Sequence, residues 1–384
     1  MLSIFGDVLT TEGVITGGVV TINNDTIEAV TRDCAVRPRD LTISAPGCLI
    51  APGFVDLHVH GGGNADFMDG TAKSVLQVAR THARFGTTRL LATTLTGSRE
   101  QLDEAIRSIR NFTESPRPDD CARIEGIHLE GPYICVHKRG AQPREYVRDP
   151  DVDEWEHWHE LSAGLIKQIT MAPELPGAPE LIDRCIARGV RVSMGHSDAT
   201  SAEARSAIAL GASQVTHVFN AMRPLHHREP GLLGEALTSA EVFVELIADG
   251  VHVDPRIVDL VVRVAGEDRV VLITDAIEGA AMPSGVYRLG GEEVLIASGT
   301  AKFSNGTLAG SVLTMNRAFA NVIQFAKVSP QSASRMATAN ALRQLGLSDH
   351  CGRVEAGQIA DLVVMQPDGR VLATIIGGVI AYRA

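Results

Sequence analysis

Pro52-Gly53-Phe54-Val55-Asp56-Leu57-His58-Val59-His60-Gly61 is the stretch whose reading decides the fold. Residues 54–60 read as a short buried strand, and strand side chains alternate between faces, so His58 and His60 point the same way, about 7 Å apart along the chain. Two imidazoles on one face of a strand end, followed by glycine, make a candidate metal site. A single histidine there would more often be a hydrogen-bonded core residue.

Outward from this stretch the chain alternates strand-like runs with helical patterns, the texture of βα units on a parallel sheet. Eight runs qualify as strands: 54–60, 88–94, 123–129, 166–171, 191–195, 214–219, 242–248 and 270–274. Eight is the number that closes a TIM-type (β/α)8 barrel. Helical patterns fall at 72–85, 100–112, 180–188, 201–210, 255–264 and 311–327, while Gly290-Gly291 and Ser304-Asn305-Gly306 mark 287–309 as a hairpin insertion. The two ends differ from this middle. Short β-rich runs at 14–21 and 26–30, and again at 360–365, 371–376 and 379–382, are separated by glycine, asparagine and aspartate turns. We therefore expect a small β-sandwich domain from residues 1–52 and 350–384, and a catalytic barrel from 53–349.

Length and charge narrow the function. At 384 residues the chain has material for a large core plus a smaller unit, and 45% hydrophobic residues with 37 glycines describe a globular, turn-rich α/β protein. A net charge of −11 repels nucleic acid and anionic membrane surfaces, so neither is expected as a partner. No apolar run approaches the roughly 20 residues that span a bilayer. Cys34, Cys48, Cys121, Cys135, Cys185 and Cys351 form no CxxC pair, and the first residues lack a basic-then-apolar leader, which reads as a cytoplasmic protein with reduced thiols.

The barrel reading is tested by where the polar residues fall, because active sites of such barrels lie at the C-terminal strand ends. His58 and His60 follow the first strand, Glu130 the third and His196 the fifth; His217 lies at the sixth, His252 after the seventh and Asp275 at the eighth. Each alone has an ordinary explanation as a helix cap or a core imidazole. Together they do not, since burial without partners costs several kcal/mol per group and a metal removes that cost. Imidazoles with one or two carboxylates and no thiolate suit Zn²⁺ or Fe²⁺.

Through His58-Val59-His60, His128-Leu129-Glu130-Gly131-Pro132, Gly195-His196-Ser197, Thr216-His217, Asn220-Ala221-Met222 and Thr274-Asp275, the chain resembles the amidohydrolase superfamily and, within it, the deacetylases of phosphorylated amino sugars. The likeness runs from Pro52 to the segment 352–362. It implies Glu130, His196 and His217 as ligands of the principal divalent metal and offers a second position on the His58 and His60 side with Glu130 between them, so one or two ions per subunit are expected. It implies Asp275 as general base and then general acid, and contacts to the sugar phosphate from Ala141, Gln142, Asn220, Ala221, Arg228, His252, Leu308, Ala309 and Gly310. Gln142 departs from the pattern, since many relatives carry histidine there. Cys135 in the same loop is read as an ordinary small residue. The resemblance further implies a homodimer in which Arg228 and His252 reach into the neighbour's site.

The implied reaction is hydrolysis of N-acetylglucosamine 6-phosphate to glucosamine 6-phosphate and acetate. Alternatives are the galacto-configured substrate, which differs at one hydroxyl, and a cyclic amide of the dihydroorotase type. The latter calls for a carboxylated lysine at a strand end, whereas Lys167 starts its strand. A silent barrel scaffold would have lost ligands or Asp275, and all are present.

Overall fold

The computed structural model describes residues 1–32 and 41–384; Cys34 lies outside the described residues. Eight parallel strands follow one another around a single sheet: Phe54–Val59, Thr87–Thr94, Arg123–Glu130, Ile166–Met171, Arg191–Met194, Gln214–Val215, Phe243–Leu246 and Val270–Leu272. The first and eighth meet through Asp275 N–H to the His58 carbonyl (2.8 Å) and His60 N–H to the Ala276 carbonyl (2.9 Å). Asp56 reinforces that seam by accepting from the Thr274 hydroxyl and from the backbone N–H groups of His58 and Thr274. Burial pushes its carboxyl up to about 7 despite those donors.

Several strands stop short of the expected span, and the cause is local. His196 (φ 47°), His217 (φ 29°) and Asp275 (φ 50°) adopt left-handed backbone angles, as do Phe219 and Ala221. Such conformations cost a non-glycine residue on the order of 1–3 kcal/mol and end β pairing. They cluster where the barrel opens, and they turn those side chains toward its axis.

Several outer helices start at side-chain caps. Thr71 accepts from Ser74 N–H ahead of Ala72–Ala83, and capping boxes at Ser98/Gln101 and Thr200/Glu203 open Arg99–Thr113 and Ser201–Ala209. Val152–Leu161, Gly231–Thr238 and the helical segment 330–345 lie outside the expected helices. In the first, a dense run of charges, one of them the buried Glu154, obscures an inward face carried mainly by Trp155 and Trp158. The second is short, glycine-containing and apolar almost all round, so it has no polar face to mark its period.

Both chain ends join one seven-stranded sheet, in the order 379–383, 371–376, 362–365, 41–52, 2–9, 14–23, 26–31. It has its own core, in which Ile4, Ile22, Ile50, Val364 and Ile375 meet. Leu2–Leu9 and Leu41–Pro52 run parallel, a pairing that a series of hairpins does not predict. Leu41–Pro52 then leads directly into the first barrel strand. At the junction a Cβ on Gly53 would lie 2.2 Å from Thr88 Cγ2, so only glycine fits, and the buried Arg89 ties the two units by donating to Asp361 (2.7 Å). The expected hairpin insertion is present as Gly285–Leu289, Glu292–Ala297 and Thr300–Lys302, turning at Gly290 and Gly291, both at positive φ.

Candidate metal and catalytic centre

Glu130 ends the third barrel strand and stands at the middle of the site. Its Oε1 lies 3.3 Å from His58 Nε2 and 3.2 Å from both His196 Nε2 and His217 Nε2, and its Oε2 lies 3.2 Å from His60 Nε2. Asp275 Oδ1 lies 3.5 Å from His58 Nε2 and 3.3 Å from His60 Nε2. The donors separate into two groups whose ligand atoms converge: His58, His60 and Asp275, and Glu130, His196 and His217. The strand parity expected of His58 and His60 is realised, with their Nε2 atoms 3.3 Å apart.

Hydrogen bonding behind the imidazoles indicates what they can hold. His196 Nδ1 lies 2.9 Å from the Lys138 carbonyl, which can only accept, so that nitrogen donates and Nε2 keeps its lone pair for the centre. His58 does the same toward the Glu245 carboxylate at 3.1 Å. Two such lone pairs face neighbouring imidazole nitrogens at 3.0 Å (His196 and His217) and 3.3 Å (His58 and His60), an arrangement that needs a proton or a cation between them. An all-nitrogen and oxygen donor set, nearly fully buried, fits a divalent transition metal.

The electrostatics agree. Burial would raise the Glu130 carboxyl, but positive charge among the surrounding imidazoles, His58 foremost, holds it well below the usual range. Burial acts the same way on Asp275, and the charge at His58, with the hydrogen bond and charge of His60, outweighs it, leaving the carboxyl at about 2. Asp275 is therefore ionised at neutral pH.

A cavity of ≈ 220 Å³ opens above these groups. Of the residues expected to contact substrate, Ala141, Gln142, Asn220, Ala221, His252, Leu308 and Gly310 line it. Ala309 is buried, its N–H bonded to the Ala301 carbonyl. Gln142 is pinned: its oxygen accepts from Thr96 N–H (2.8 Å) and its nitrogen donates to Glu130 Oε2 (2.6 Å). His252 lines the cavity of its own barrel. Asp249 fixes it there, accepting from both the ring Nδ1 (2.7 Å) and the backbone N–H (2.8 Å). Arg228 is exposed and outside the cavity, its guanidinium 2.9 Å from His227 Nε2. Lys167 donates to the Gly164 carbonyl at the far end of its strand, away from the centre.

Sequence reasoning missed Glu245. It is fully buried in the seventh strand, and besides His58 it accepts from the side-chain amides of Gln168 (2.8 Å) and Gln214. The signal was a lone carboxylate inside the apolar run 242–248, which burial alone makes improbable. Glu245→Ala removes the acceptor shared by His58 Nδ1, the Gln168 and Gln214 amides and the His217 N–H, and is expected to cost about 3 kcal/mol of stability. A denaturant midpoint that does not move would show that the network carries no such load.

The fold and this donor set define a metal-dependent hydrolase of barrel architecture, and the chain belongs to the amidohydrolase family, whose model matches residues 49–381. It is 38% identical over 377 residues to N-acetylglucosamine-6-phosphate deacetylase of Bacillus subtilis (strain 168), covering 98% of this chain and 95% of that one. It is 35% identical over 348 residues to N-acetylgalactosamine-6-phosphate deacetylase of Escherichia coli O157:H7, covering 90% and 92%. Among solved structures it resembles a mutant N-acetyl-D-glucosamine-6-phosphate deacetylase from Mycobacterium smegmatis in complex with N-acetyl-D-glucosamine-6-phosphate, with a TM-score of 0.92, 33% identity and 99% coverage of both chains.

Proposed function

We propose that the protein hydrolyses the N-acetyl group of N-acetylglucosamine 6-phosphate, releasing glucosamine 6-phosphate and acetate, and that it does so in the cytoplasm as a homodimer. The observation that carries this reading is the meeting, in one cavity, of the Glu130, His196 and His217 donor group with an ionised Asp275 that this group does not need as a ligand. Glu130, His196 and His217 would hold a Zn²⁺ or Fe²⁺ ion, which when bound would supply Lewis acidity toward the amide carbonyl and lower the pKa of water. Asp275 accepts the proton of the attacking water and returns it to the departing sugar nitrogen, so one carboxylate serves as base and then as acid. Gln142 holds Glu130 in register, and Glu245 holds the His58 tautomer. His58 and His60, with Asp275, offer a second cation position. A cytoplasmic setting is supported by five free cysteines among the described residues.

The deciding experiment is an acetate-release assay on the gluco and galacto sugar phosphates, with metal analysis of the same sample. No release from either sugar would end the proposal.

The phosphate needs cationic donors in an acidic protein, and the lining of the cavity by Asn220 and Ala221, a few residues before Arg228 in the chain, supports that side as its end. The unphosphorylated sugar is expected to be poorer in kcat/KM by on the order of 10²-fold, and Arg228→Ala to narrow that gap. Equal kcat/KM for both sugars in the unmodified protein would remove the phosphate site. Because Arg228 sits outside its own cavity, we assign it to the neighbour's site in the dimer. Refolding Arg228→Ala together with Asp275→Asn should then restore activity, since one site of each mixed dimer carries neither defect. Mixed dimers that stay inactive place Arg228 in its own barrel.

A further inference from the structure

Leu95 and Leu289 separate two cavities. On one side lies the catalytic cavity, and on the other a space of ≈ 260 Å³ bounded by Asp66, Met68, Pro143, Tyr146, Glu278 and Arg288. Leu95 follows the second barrel strand and Leu289 ends the first strand of the inserted hairpin. Both are nearly fully buried, and both belong to the apolar core that seats the hairpin on the barrel. The wall is closely packed: a Cβ on Gly290 would lie 2.9 Å from Leu95 Cδ2 and 2.8 Å from Pro143 Cγ.

The catalytic cavity has a polar and an apolar side. Asn220 and His252 line it from the sixth- and seventh-strand side, while Leu95, Leu289 and Leu308 are its large aliphatic lining residues. An N-acetylated sugar phosphate has a single apolar end, the acyl methyl. We infer that Leu95 and Leu289 are the end wall of the acyl pocket, that they limit the hydrolysed chain to acetyl length, and that the ≈ 260 Å³ space behind them is an annex that longer acyl chains enter once the wall is cut back. The inference rests on the amide-hydrolysis reading, and it gives the inserted hairpin a task in specificity.

The test compares N-acetyl- and N-butanoyl-glucosamine 6-phosphate by release of the free amine. A methylene that a pocket cannot take is worth about 10–200-fold in kcat/KM, so the unmodified protein should favour the acetyl substrate by about 100-fold or more. Leu95→Ala and Leu289→Ala should each raise the butanoyl-to-acetyl ratio by about tenfold or more. The ratio cancels any general loss of activity, and thermal unfolding reports whether each variant is folded. An unmodified protein that takes both chains equally well overturns the inference without any variant, as does an unchanged ratio in folded Leu95→Ala and Leu289→Ala. Failure to hydrolyse even the acetyl compound overturns the amide reading itself, which is a distinguishable outcome.

Discussion

Replacing Asp275 by asparagine is expected to lower kcat by about 10²–10⁴-fold while leaving the fold and the principal metal in place. The amide keeps the size and polarity of the carboxylate but cannot take a proton from water and pass it to a leaving nitrogen. The surroundings favour a clean test. Asp275 is not part of the Glu130, His196 and His217 group, and its backbone, held between the His58 carbonyl and Ser311 N–H, does not depend on the side chain. The measurement is kcat beside metal content on the same preparation. Turnover near that of the unmodified protein at normal metal content would remove Asp275 from the proton path.

The second large effect concerns the two donor groups. Glu130→Ala or His196→Ala is expected to lose the principal metal, with activity falling by on the order of 10⁴-fold or more, because water of ordinary acidity is then the only nucleophile. His58→Ala is expected to deplete only a second equivalent and to leave measurable turnover. Glu130 makes the contrast sharp, since it lies within 3.3 Å of nitrogens from both groups, whereas His58 contacts Glu130 and Asp275 but belongs to one group only. Metal counting by mass spectrometry, before and after dialysis against chelator, separates the cases. A His58→Ala protein that holds no metal at all would reverse the ranking of the sites.

Much of the centre could be read from the chain because the rules that place it are local. Strand alternation puts His58 and His60 on one face wherever the strand lies, and polar residues at successive strand ends mark the mouth of a barrel once eight such strands are counted. Glu130, His196, His217 and Asp275 were legible for that reason. The helices that were legible carry a two-sided pattern, which Val152–Leu161 and Gly231–Thr238 lack in clear form.

What the sequence by itself determined is thus the set of chemical groups and the end of the barrel they occupy. Closure of the barrel decided the rest. It brought Glu245 against His58 across 187 residues of chain, a partner that no spacing rule could name, because packing and not sequence distance sets which buried charge meets which imidazole. It placed His252 inside its own cavity through Asp249 and left Arg228 outside, although both follow strands in the same way. It also set Leu95 and Leu289, ordinary apolar residues 194 positions apart, side by side as the wall between two cavities. Local periodicity encodes which face a residue takes; only through-space contact encodes what that face meets.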